Sequence, residues 1–184
     1  MHIKHKNKYD YGIVGVVTAV LLLGLVVAII SLMQTVYVPK IMEHRESEHM
    51  DQVADQFTRL KSSIDNQISS QTPGIPVATS VTLGSKELPY LLTVRAFGTI
   101  EVLTEEFTVG LTYGLDDDLN LSRSIGMLKY TSANGYFLDQ SYIYESGAVI
   151  VSQDLGNMML IRPSFSVSHN GANITIIFDF CQLF

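Results

Sequence analysis

Five histidines, at positions 2, 5, 44, 49 and 169, are the first side chains to test for metal or proton chemistry. His44 and His49 stand five apart, on different faces of a helix. A zinc helix needs two at i, i+4. They read as exposed residues. Asp116, Asp118, Asn120 and Ser122 alternate like the first half of a calcium loop. Leu121 takes the sixth position, where such a loop needs glycine, and Met127 the twelfth, where it needs a bidentate acid. The run reads instead as a polar turn between strands. Cys181 is the single cysteine, so no internal disulfide can form. It reads as a small apolar core residue rather than a nucleophile. No GxSxG elbow, Walker loop or dinucleotide fingerprint occurs. Nothing assembles a nucleophile, a base and an oxyanion site. The expectation is a protein that is not an enzyme, with no cofactor and no metal. Two sequons, Asn120-Leu-Ser122 and Asn173-Ile-Thr175, mark Asn120 and Asn173 as candidate glycosylation sites.

The elements that would carry any such residue are dominated by one stretch, Gly12 to Met33, without a charged side chain. A bilayer core of about 30 Å needs about 20 apolar residues in a helix. The run continues through Gln34-Thr35-Val36-Tyr37-Val38, which favours a retained anchor over a cleaved signal. Lys4, Lys6 and Lys8 precede it against one acid, Asp10. Mixed charges follow it: Lys40 and Arg45 among Glu43, Glu46, Glu48 and Asp51. The positive-inside rule then places the N-terminus in the cytoplasm and the larger C-terminal part outside the cell. Gly15 with Ala19, and Gly24 with Ala28, recur at the four-residue spacing that lets membrane helices approach closely. The bland reading of these pairs is ordinary membrane-helix composition. The chain's net charge of −6 argues against nucleic-acid binding.

Pro39 is expected to kink or restart the helix. From Ile41 to about Ser69 a second pattern appears. Met50, Val53, Phe57, Leu60, Ile64 and Ile68 recur every three or four residues and define one apolar stripe. Glu48, Asp51, Asp55, Arg59 and Asp65 fall opposite. At about four turns the stripe is too short for a free coiled coil, so covering its own β-rich domain is the preferred reading. Packing against neighbouring copies is the other. Ser69 to Pro76 carries two prolines and a glycine and reads as a linker.

From Val77 onward the pattern is β. Strands are expected at about 77–83, 90–97, 99–103, 107–113, 125–131, 136–144, 148–152, 158–161, 165–168 and 174–183. Turns fall at Leu83-Gly84-Ser85, Asp116-Asp117-Asp118, Asn134-Gly135, Ser146-Gly147 and Asn170-Gly171. Gly110, Gly114 and Gly126 read as bulge markers. The last strand is apolar on both faces and is expected to be covered on both. The organisation that follows is α+β. A cytoplasmic tail (1–11), a transmembrane helix (12–38), an extracellular amphipathic helix (39–69) and a linker (70–76) precede an antiparallel β-sandwich domain (77–184).

This plan resembles archaeal type IV pilin-like proteins and archaellins. Gly15-Val16-Val17 opens the apolar run as such N-terminal regions do. Tyr142-Ile-Tyr-Glu145-Ser-Gly147-Ala-Val-Ile150, on through Arg162-Pro163, looks like an uncharacterised archaeal family with the same N-terminal helix. Prepilins of this class place basic and small residues just before the cleavage point and an acid early in the mature helix. Here Asp10-Tyr11-Gly12 precedes the run, and no acid lies between Ile13 and Val38. The resemblance therefore implies an uncleaved, single-pass structural or assembly protein at an archaeal cell surface. Its partners would be the bilayer, like subunits and other envelope proteins. The rival is an anchored binding module for a solute, a glycan or an envelope partner, with Tyr113, Tyr130, Tyr136, Tyr142 and Tyr144 lining a pocket. Cross-strand packing is the commoner use of such tyrosines.

Overall fold

The computed structural model describes residues 8–70, 76, 78–85, 96–113, 119–171 and 173–178. Two compact units divide the chain, Met1–Met42 and Glu43–Phe184.

The first unit holds helix α1, Lys8–Leu32, and a π-helical turn, Met33–Tyr37. The helix begins inside the basic segment expected as a tail, four residues before the apolar run. Every residue from Gly12 to Tyr37 is exposed. A helix that is apolar all round and uncovered is stable in hydrocarbon, not in water. Both threonine hydroxyls between Gly12 and Tyr37 bond back to the helix's own carbonyls. Thr18 donates to the Val14 carbonyl and Thr35 to the Ser31 carbonyl, each at 2.8 Å. Helix α2 follows as Val38–Ser70. Pro39 does not break the helical run. It lacks an N–H and crowds the carbonyl four residues back, that of Thr35. The π turn lies at that place, with the Val38 N–H bonded to the Met33 carbonyl. Pro39 then occupies the first turn of α2, where a missing N–H is harmless.

The second unit is antiparallel throughout, so the chain has the expected α+β class. Strands β1 (Phe97–Tyr113), β2 (Leu119–Ala133), β3 (Gln140–Glu145), β4 (Ala148–Gln153) and β5 (Gly156–Ile161) form a sheet in that order. Strands β6 (Phe165–Asn170) and β7 (Asn173–Phe178) form a separate two-stranded sheet. The core lies where α2 meets the larger sheet. Met50, Val53 and Phe57 are buried with Tyr130, Tyr142, Tyr144, Val149 and Val151. Leu60 and Ile64 pack against this cluster at its edge. Ile68, the last residue of the stripe, is half-buried.

Several expected strand boundaries move. The segments 99–103 and 107–113 are one strand, β1, with an irregularity between Leu103 and Phe107. Gly126 lies opposite that irregularity, between the partners Met127 and Ile125, and so marks a bulge. Gly110 does not, since it pairs regularly with Ser122. Gly114 and the turn at 116–118 lie outside the described residues. So do Val77, most of the strand expected at 90–97, most of the linker at 70–76 and the end of that expected at 174–183. Residues 78–83 form no strand. Gly84 makes a single bridge to Phe97. The β3–β4 turn is built on Ser146 and Gly147, both with positive φ (50° and 78°), the mirror-image turn that matches strand twist. The expected covering of the last strand is not found among the described residues. Ile174, Ile176 and Ile177 of β7 are exposed, and β7 pairs with β6 alone.

Candidate functional site

Residues 46 to 57 of α2 carry five buried side chains of the second unit, those of Glu46, His49, Met50, Val53 and Phe57. Glu46 is 1% exposed. One carboxylate oxygen accepts the Gly135 N–H at 3.1 Å, and the other accepts those of Tyr136 and Phe137 at 2.7 Å. Three successive backbone donors thus converge on one anionic side chain, an arrangement stronger than neutral hydrogen bonds. This is why the strand expected to start at Tyr136 starts at Gln140. The donors of Gly135–Phe137 are turned toward Glu46 and away from a ladder. Asn134 closes the loop, its amide donating to the Leu138 carbonyl and its N–H bonding to Asp139.

One turn further along, His49 is buried, correcting the expectation that it is exposed. Its Nε2 lies 3.1 Å from the Tyr130 hydroxyl, and the two rings meet edge-on. Tyr130 reaches it by lying over Gly98 of the neighbouring strand, where any Cβ would overlap the phenol ring. Gln56 holds the segment before β1. Its Oε1 accepts the Thr82 N–H at 2.8 Å and its Nε2 donates to the Thr82 hydroxyl at 2.6 Å. That anchorage draws Thr82 away from the strand expected at 77–83. Phe57 stacks at a tilt on Tyr142, with centroids 5.9 Å apart. Lys61, also buried, pairs with Asp65 at 2.5 Å.

Three of the five tyrosines nominated for a binding pocket are used in this packing. Tyr130, Tyr142 and Tyr144 are all 5% exposed or less. Tyr136 is exposed in the loop, and the side chain of Tyr113 lies outside the described part. The hollow beside His49, lined by Arg45, Glu48, Gln52, Thr82 and Gly84, measures about 70 Å³. Small-molecule sites begin near ~300 Å³. Among the described residues no group of three or more His, Cys, Asp or Glu side chains is placed to hold a metal. Gly15 and Gly24 face open space in α1, exposed like Ala19 and Ala28. Asn173 is exposed at the start of β7, whereas the side chain of Asn120 lies outside the described part.

Sequence reasoning missed Glu46 and His49 as buried residues. The signal was present. Four residues back from Met50 is Glu46, on the same stripe, and a charged residue at an apolar position points to a specific partner.

The titrating groups bound the pH range of this packing. Burial holds the His49 pKa below its usual 6.5. The unfolded chain therefore takes up a proton that the folded one refuses. Stability from this site is present above about pH 6.5 and falls as the pH drops below it. Burial first, then the Asp51 carboxylate and Tyr130, push the Tyr142 hydroxyl up to about 12. Its contribution, on the order of 3 kcal/mol, is intact below the unfolded value near 10 and is lost as the pH rises through 12. Melting curves should show an acid limb that His49→Gln flattens and an alkaline limb that Tyr142→Phe flattens.

The chain belongs to a family of unknown function, DUF7289, whose profile matches residues 12–178. The match takes in the apolar run from its first residue, α2 and both sheets. No curated protein matches the chain. No solved structure matches it.

Proposed function

We propose that this chain is a bitopic, pilin-like structural or assembly protein of the archaeal cell envelope. α1 anchors it in the membrane, with the lysine tail in the cytoplasm and the β-rich unit outside. The observation that carries the reading is the contrast between two helical segments. Gly12–Tyr37 is apolar and wholly exposed, as a lipid-facing span must be. Residues 46–57 of α2 are instead built into a core by Glu46, His49, Met50, Val53 and Phe57. An anchor followed by a helix packed on a sheet suits a protein that holds a domain at a surface. The resemblance to archaeal pilin-like proteins supplies the setting. The lack of an acid between Ile13 and Val38 supports an uncleaved accessory or assembly protein over a processed filament subunit.

Extraction of native membranes tests this. Alkaline carbonate should leave the chain in the pellet and detergent should release it. The detergent extract should contain the intact chain, with Met1–Gly12 attached, in a complex with further copies or envelope proteins. Release by carbonate would contradict the anchor. A mature N-terminus at Ile13 would move the protein into the filament-subunit class. A detergent-released monomer that retains a small molecule would favour the anchored binding module.

A further inference from the structure

The β6–β7 hairpin carries the second sequon, Asn173-Ile174-Thr175, in a setting that the sequence alone does not give. Asn173 is the first residue of β7, directly after the turn in which Gly171 takes φ 66°. Asn173 and Thr175 are both exposed. Residues two apart in a strand point the same way, so the amide and the hydroxyl sit side by side. Directly opposed residues of an antiparallel pair share a face. The register pairs Asn173 with Asn170, Thr175 with Ser168 and Ile177 with Ser166, which makes this face mainly polar. The other face carries Phe165, Val167, Ile174 and Ile176. No hydrogen bond to a described residue engages the Asn173 amide. The hairpin thus presents the acceptor on an exposed, mainly polar face at its tip, with Ile177 the one bulky apolar side chain beside it among the described residues and Val167, Ile174 and Ile176 on the other face.

We propose that Asn173 is N-glycosylated, a proposal that rests on the extracellular placement given above. The co-reactant is a polyprenyl-phosphate-linked saccharide presented by a membrane transferase. The Asn173 amide nitrogen bonds to the anomeric carbon of the sugar. The bond from that carbon to the phosphate oxygen breaks, and polyprenyl phosphate leaves with the electron pair. One amide proton passes to a base of the transferase, and no atom changes oxidation state. The Thr175 hydroxyl is the group that the transferase reads beside the amide. A glycan attached here projects from the face opposite Val167, Ile174 and Ile176.

Peptide mass spectrometry of the full chain from its native membranes tests the assignment. The peptide containing Asn173 is expected to be heavier by one or more sugar residues. Thr175→Ala should remove the added mass and Thr175→Ser should keep it. Both variants should melt as the parent does, because Thr175 is exposed. Added mass that survives Thr175→Ala would overturn sequon-directed attachment. An unmodified Asn173 peptide in a chain whose Leu155→Cys variant is labelled from outside the cell would overturn the glycosylation alone. An unmodified peptide with no external labelling would overturn the extracellular placement as well.

Discussion

Phe57→Asp should lower the melting temperature of the detergent-solubilised chain by roughly 10 °C or more. Phe57, on the α2 stripe, is fully buried and stacks on Tyr142. Truncating a buried phenylalanine costs about 3–5 kcal/mol. A carboxylate there adds an unpaired charge in an apolar contact. For a domain of this size each kcal/mol shifts the midpoint by about 2–4 °C. Circular dichroism melts of parent and variant decide the matter, with Phe57→Leu as a milder control. The same experiment separates two uses of the stripe. If the stripe served contacts between copies, the melt would not move and only a large membrane complex would disappear.

Glu46 gives the second large effect, and it has an unusual signature. Glu46→Ala leaves the N–H groups of Gly135, Tyr136 and Phe137 without their acceptor. Hydrogen bonds to a charged group contribute about 1.5–3 kcal/mol each, and water can reach the freed donors of the exposed Gly135 and Tyr136, so a loss of roughly 3 kcal/mol is expected for the three together. Glu46→Gln should be nearly as damaging although it has the same shape. The carboxylate uses both oxygens. An amide replaces one of them with a donor that faces donors. Hydrogen exchange at residues 135–137 should speed up in both variants, before the β3–β4 hairpin opens. A Glu46→Gln protein with the parent's melting temperature and protection would contradict this account of the loop.

These two residues also show what could be read in advance. Phe57, Met50 and Val53 were legible because helical spacing and apolar type agree, and the structure seats them in one core. Glu46 lies on the same stripe but was counted among the flanking charges. Its partner is a loop some 90 residues away, and local pattern carries no information at that range. The same distance explains the strand edges. Tyr136 and Phe137 have strand-like side chains, yet Glu46 claims their N–H groups. Thr82 has strand propensity, yet Gln56 holds its backbone. His49 looked like a surface histidine until Tyr130, lying over Gly98, supplied it with a buried partner. The apolar run beginning at Gly12 was legible because nothing distant is needed to interpret it.

The most direct test of the membrane account is labelling of intact cells with a membrane-impermeant maleimide. Cys181→Ser removes the native thiol, and single cysteines are then placed at Leu155 and at Lys4. Leu155 stands at the tip of the β4–β5 turn and is 96% exposed, so its replacement disturbs no packing. The account predicts that Leu155→Cys is labelled in intact cells and that Lys4→Cys reacts only after the membrane is permeabilised. Labelling of Lys4→Cys in intact cells, with Leu155→Cys protected until lysis, would contradict it.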